Sequence, residues 1–325
     1  MGARQATLQS QRRDIVTPRC QARISRADFQ PPPELADRDP ALAPAEHVGG
    51  VRTELRLHEG VVGLGRTYYQ NPLRVLMPVA ERPGSEALLF LMNSTAGLLD
   101  GDGQLVELDV GSGVRCFVTN QSASRVHPCP LWHAAARFDI KLVAGSTLCV
   151  LPGPTIPFAG SRYHQRTNIS LEPGANMVWG DILLPGRTQY AKAPERFAFD
   201  CIVQELRVER GSRLVFHERF CWRGPWTEDA IGWHFGDAEA VASLFVSGKI
   251  SIDELPELSD GVIAVQPTAH GDTCLRLVGR NPEQLIATAA RVALMAAAQL
   301  AGDPAPWLAH SSRLAANHWF SEQPE

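Results

Sequence analysis

The sequence predicts a mainly β protein: one large β-rich domain of antiparallel strand pairs, with two α-helices near the C-terminal third. Three observations predict it. Apolar or alternating runs recur at the roughly 8–12-residue spacing of an all-β chain. Glycine-centred turns separate these runs. Only two stretches carry helical patterning with capping residues at their ends.

The strands follow in order. Leu55 and Leu57, then Val61, Val62 and Leu64, flank the turn His58-Glu59-Gly60. Leu88 to Met92 is a continuous apolar run of the length of a buried strand. Leu105 to Val110 alternates, turns at Gly111-Ser112-Gly113 and resumes at Val114 to Thr119, a hairpin pattern. The same beat returns at Ala136–Val143 with Thr147–Leu151, and at Thr167–Leu171 with Asn176–Trp179. It returns once more at Phe197–Val208 with Arg213–Phe220, and no sequence repeat underlies it.

The first predicted helix is short, Asp237 to Val246, with Asp237 as N-cap and Gly248 beyond its end. The second runs from Pro282 to Ala301. Asn281 caps it, Pro282 occupies the first helical position, and Gly302 and Pro304 stop it. Its alanine-rich surface requires close packing against a sheet or a partner. Residues 1–46, with Pro31-Pro32-Pro33 and a Pro/Ala run, read as a flexible N-terminal tail; the β-rich domain spans 47–325.

Composition excludes several function classes. The chain has 325 residues and a formal net charge of −4, so no global field points to nucleic acid or membrane. No apolar run reaches the roughly 20 residues of a membrane span. Seven cysteines are scattered without any CxxC pair, which argues against a zinc site and for reduced thiols in the cytoplasm. Only Lys141, Lys192 and Lys249 among the 31 basic residues are lysines, a bias that codon usage explains as well as interfacial pairing does.

Motifs for catalysis fail one by one. Asp100-Gly101-Asp102-Gly103-Gln104 begins like a calcium loop, but Leu105 and Gly111 stand where the turn glycine and bidentate glutamate belong. A tight turn entering the strand is the plainer reading. There is no P-loop and no GxSxG elbow. His127, Cys129 and His133 offer metal-ligand types, yet Pro128 and Pro130 make the segment an irregular loop. Trp222, Trp226 and Trp233 fit core or interface equally.

Five runs, taken in order, resemble the UreD (UreH) family of urease accessory proteins. They are Gly65-Arg66-Thr67 with Asn71-Pro72-Leu73-Arg74-Val75; Ala96 to Asp102, similar to a GGxxxGD turn; and Val118 to Val126, similar to TTQxxxKV. The others are Leu151 to Ser161, similar to LPxxxIxFxGS, and Asp181 to Arg187 with Glu195-Arg196-Phe197. The chain departs from the family pattern at Ala96, Asn120, Arg125 and Pro194.

The resemblance implies a β-helix-like stack of strand pairs and a non-enzymatic scaffold. Such a scaffold binds urease accessory proteins F and G and apo-urease, and leaves GTP hydrolysis to a partner. No cofactor is tightly bound; nickel passes transiently through a polar internal passage. Asp102, Ser122 or a neighbour, Asp181 and Glu195 are the residues carried over for that passage. Oxygen ligands suit it, because they release a divalent ion that thiolates would retain. The structural alternatives are a turn for Asp102, a pair with Arg187 for Asp181, and a pair with Arg196 or Arg162 for Glu195. A β-sandwich or barrel enzyme, or an interaction module serving a different metalloenzyme, are the competing functional readings.

Overall fold

The computed structural model describes residues 22–44, 47–76, 86–190, 195–251, 253 and 255–302. Two sheets face each other across one apolar core. The first holds β1 (His47–His58), β2 (Val61–Gln70), β5 (Asp102–Val110), β8 (Ala134–Leu142), β11 (Arg162–Leu171), β13 (Cys201–Arg210) and β14 (Arg213–Arg223). The second holds β3 (Leu73–Val75), β4 (Ala87–Asn93), β6 (Arg115–Asn120), β9 (Thr147–Leu151), β12 (Asn176–Leu183), β15 (Ala240–Val246), β16 (Gly261–Pro267) and β17 (Thr273–Gly279). Two short strands, β7 (Ser124–Val126) and β10 (Thr155–Pro157), pair beside it.

The mainly β, β-helix-like class agrees with the sequence, but its central pairing sense does not. β5 and β6 are not a hairpin: β5 lies parallel to β1 and β8, whereas β6 lies parallel to β4 and β9 in the other sheet. The same correction applies to β8 with β9 and to β11 with β12. Each turn is an arch that carries the chain across the core. Gly113, Gly145 and Gly174 sit at positive φ in successive arches, and the turns stack: Gly113 N donates to Gly145 O, and Gly145 N to Gly174 O at 3.0 Å. Antiparallel hairpins among the described residues include β1–β2, β13–β14 and β16–β17.

One rim of the stack therefore consists of tight arches. The opposite rim carries the longer connections 94–101, 121–133, 152–161 and, of the fourth, the described residues 184–190 and 195–200. These run from the ends of β4, β6, β9 and β12 to the starts of β5, β8, β11 and β13.

The predicted helix over Asp237–Val246 is replaced by β15. Ala240, Ala242, Leu244 and Val246 face one apolar cluster while Phe245 faces the other, so both sides of the strand are buried. A short run that is apolar on both faces carries no period to distinguish helix from strand. The helix lies just upstream instead, as α1 (Glu228–Phe235), capped by the Thr227 hydroxyl. α2 (Pro282–Ala301) is as the sequence predicts, with the Asn281 side chain accepting from Gln284 N at 3.1 Å. It is long and apolar enough to cross a membrane, yet it packs its small residues on the outer face of the second sheet.

Residues 22–44, expected as part of a flexible tail, lie against the outer face of the first sheet. Ile24, Phe29 and Leu35 are buried there, and Gln70 bonds both N–H and C=O of Ile24. Ion pairs Arg162–Asp37 and Arg219–Glu34 fasten the segment. Proline density suggested a flexible tail but could not reveal three apolar anchors with matching seats. Residues 1–21 lie outside the described residues.

Candidate functional site

Every strand of the first sheet alternates between core and outer face. In β5, Val106, Leu108 and Val110 point into the core, and Gln104 shares their parity. In β13, Gln204 shares the parity of Ile202, Leu206 and Val208; in β11, Gln165 shares that of Tyr163, Thr167 and Ile169. Parallel register then places Gln104, Ala136, Gln165 and Gln204 in one inward-facing row at the long-loop rim. The second sheet answers with Asp181, whose strand also sends Met177 and Trp179 into the core. A polar layer thus crosses the interior.

Asp181 is its centre. Its Oδ2 accepts from Trp179 Nε1 at 2.6 Å and its Oδ1 from Gln165 Nε2, while Gln165 Oε1 accepts from the Tyr163 hydroxyl at 3.1 Å. Burial pushes the Asp181 carboxyl above the usual carboxylate range; the two hydrogen bonds and nearby Arg276 oppose that rise. Asp181 lines two cavities at once. The first, about 40 Å³, is bounded by Gln104, Asn120, Ser122, Thr155 and Gln165 and leads toward the loops. The second, about 110 Å³, is bounded by Gln204, Glu205, Glu218, Ser243 and Arg276. The amide nitrogens of Gln104 and Gln204 are buried without a hydrogen-bond partner. Leaving such donors unpaired costs roughly 1–3 kcal/mol each, so they mark a place where water or a ligand belongs.

All four sequence-predicted residues reach the long-loop rim, but only two share a cavity. Ser122 is exposed in the connection after β6, at the mouth of the first cavity, and Asp181 lies at its inner end. Asp102 begins β5, and its Oδ2 accepts from Leu99 N at 2.8 Å, closing the turn through Gly101. Burial pushes its carboxyl up, against the pull of that N–H and of His47 and His127. Asp100, its neighbour in the calcium-like run, accepts from Leu131 N and Trp132 N, each at 2.8 Å. Glu195 stands apart from both cavities and is held by Arg187, which gives its Nε to Oε2 at 2.9 Å and a second bond to Oε1. Ala159 N also donates to it at 3.0 Å. These bonds, Arg187 first, hold the Glu195 carboxyl below the usual range.

The glutamines carry no motif and no sequence search for one would find them. Strand parity could: each is a polar residue at an inward position of an otherwise apolar face. The His127–Cys129–His133 segment does not converge. Cys129 Sγ donates to His127 O, the His127 ring packs on Phe158, and burial pushes the Cys129 thiol up to about 12. Among the described residues no three His, Cys, Asp or Glu side chains gather closely enough to hold a metal ion. Trp222 and Trp226 pack with Phe197 and Phe235 beside the core, whereas Trp233 is 86% exposed.

Comparison with known proteins joins these features to a family. The family model described as UreD urease accessory protein matches residues 47–311. The urease accessory protein UreD of Acetivibrio thermocellus is 26% identical over 238 residues, covering 71% of this chain and 90% of that protein. UreD 2 of Streptomyces griseus is 27% identical over 289 residues, covering 84% and 97%. UreD of Deinococcus radiodurans is 31% identical over 211 residues, covering 64% and 74%. The family match spans most of the chain, which therefore belongs to the UreD family of urease accessory proteins and has its role in urease maturation.

Proposed function

We propose that this chain is a non-enzymatic, cytoplasmic scaffold that joins urease accessory proteins F and G to apo-urease and passes nickel toward the urease active site. The observation that supports it is the polar layer between the sheets, with Asp181 shared by two cavities. A β core gains nothing in stability from buried amides and a buried carboxylate. Their placement in one row is reasonable when a hydrated ion must be handed along. Nickel is cargo here, held by carboxylate, amide and hydroxyl oxygens too weakly to be trapped.

Within this reading Ser122 stands at the entrance and Asp181 at the midpoint. Asp102 and Glu195 shape the surrounding loops through the turn at Leu99 and the clamp on Arg187. GTP hydrolysis belongs to a partner. The six described cysteines are free thiols, as suits a reducing compartment.

The experiment is co-purification of the tagged chain with urease accessory proteins F and G and apo-urease from its own source, followed by activation with Ni²⁺, bicarbonate and GTP. Complex formation with wild-type protein and with Asp181→Ala is expected, and activation only with wild type. Normal activation by Asp181→Ala would remove the passage; absence of any association would remove the scaffold role.

A further inference from the structure

Asp181 has a cationic neighbour in its own sheet. Antiparallel pairing sets Asp181 opposite Ser243, and Ser243 opposite Arg276, so the three form one cross-strand row over β12, β15 and β17. Side chains in such a row stand within contact of the next. Arg276 donates to Ser243 Oγ and reaches across the interior to an ion pair with Glu218 on β14 of the opposite sheet. Ser243 Oγ also donates to Glu218 Oε2 at 3.1 Å, and the Arg276 guanidinium lies 5.3 Å from the centre of the Phe220 ring. All of these groups line the second cavity together with Asp181.

A guanidinium keeps its charge at any accessible pH. Inside a cavity walled by protein, where solvent screens less than in bulk water, its repulsion of a dication exceeds thermal energy. A permanent cation bridging the two sheets beside Asp181 is therefore an obstacle to the cargo. It is also the counter-charge that Asp181 and Glu218 need when no metal is present.

We propose that Arg276 gates the passage: it blocks the second cavity in the resting protein and swings off the row when a divalent cation reaches Asp181. The inference rests on the nickel-passage reading. Space for the swing exists within the cavity of about 110 Å³ that Arg276 shares with Gln204 and Glu205. Arg276 is a positioning residue and is not itself a metal ligand.

The test is Ni²⁺ titration by calorimetry on the purified full chain, with Ni²⁺ alone as the probe. Arg276→Gln is expected to bind Ni²⁺ at least about tenfold tighter than wild type, from removal of one adjacent positive charge. Arg276→Lys should stay at the wild-type level, and Asp181→Asn in the Arg276→Gln background should lose the gain. If Arg276→Gln fails to fold because Glu218 is left unpaired, the Glu218→Gln/Arg276→Gln protein compared with Glu218→Gln carries the same expectation. Binding no tighter than in the parent protein would overturn the gate. That result differs from failure of the passage itself, in which Asp181→Ala would activate urease normally.

Discussion

Arg187 holds Glu195 in a two-pronged ion pair while its guanidinium lies between the rings of Phe158, 4.0 Å away, and Tyr190, 4.2 Å away. Glu195 Oε2 takes a further bond from Ala159 N, so one carboxylate ties the connection before β13 to the connection before β11. Glu195 is only 11% exposed and Arg187 31%, which places the pair between surface and core. The clamp fixes two of the long-rim connections to each other.

Glu195→Gln should therefore cost about 1–3 kcal/mol of stability, measured by urea denaturation. Arg187→Ala should lose a similar amount, and the double variant little more, because both changes break one interaction. The pH dependence has a definite sign. A carboxyl held below its unfolded value of about 4.3 stabilises the fold above that pH and loses its contribution as pH falls through the depressed value. Glu195→Gln should lack that acid-side component. A variant that loses activation at unchanged stability would instead assign Glu195 to the passage.

Asp181→Asn should separate charge from fold. An amide in this place still accepts from Trp179 Nε1, and Gln165 can turn its own amide to suit, so stability should change by no more than about 1 kcal/mol. Nickel-dependent activation should fall at least about tenfold, since a neutral amide loses the charge-assisted attraction to a dication. Because burial raises the Asp181 carboxyl, wild-type activation should also weaken as pH drops, earlier than an ordinary carboxylate would allow. Activation of Asp181→Asn at the wild-type rate would contradict its role.

Strand positions and α2 were legible because alternation, turn glycines and the Asn281–Pro282 start are local signals. The partners of the strands were not. Val110 and Val114 read identically whether Gly111-Ser112-Gly113 closes a hairpin or arches between sheets, and only the core on both sides decides. The same ambiguity concealed β15, where Leu244 and Phe245 are both buried. Of the site, the family pattern led to Asp181 and Ser122. Gln104, Gln165 and Gln204 come together solely through parallel register, which no local spacing encodes. The structural alternatives paired Glu195 with Arg196 or Arg162 and Asp181 with Arg187; loop closure brings Glu195 to Arg187 instead, and leaves Asp181 with Gln165, Trp179 and nearby Arg276.

The fit of α2 on the second sheet gives a packing prediction. Ala289, Ala293 and Ala297 are all fully buried, and the Ala293 carbonyl lies 3.8 Å from Cys149 Sγ on β9. The helix approaches this closely only because its facing residues are small. Ala293→Leu should force the helix outward and destabilise by about 1–3 kcal/mol. Arg291→Ala, at an exposed position of the same helix, should stay within about 0.5 kcal/mol. Equal effects of the two changes in denaturant titration would show that α2 does not pack as described.

His133 and His164 make the fold acid-sensitive. Both are buried, at 2% and 6% exposure; His133 Nδ1 and His164 Nε2 have no hydrogen-bond partner. Burial drives their pKa values down, to about 3 for His133, where Arg162 and Arg26 add to the effect, and about 4 for His164, where Glu205 opposes the fall. The unfolded chain takes up a proton on each near pH 6.5. Stability is then complete above that value and declines most steeply near pH 5, between the unfolded and folded values, where the unfolded state binds nearly two more protons than the folded one. The slope should approach about 2.7 kcal/mol per pH unit from this pair. His164 faces the space beneath Phe29 and Gln30 of the N-terminal segment, so that segment should loosen first, read as faster amide exchange over residues 22–44. His164→Gln should halve the slope between pH 6 and 4, and an unchanged slope would show that the two histidines are not the acid-labile groups.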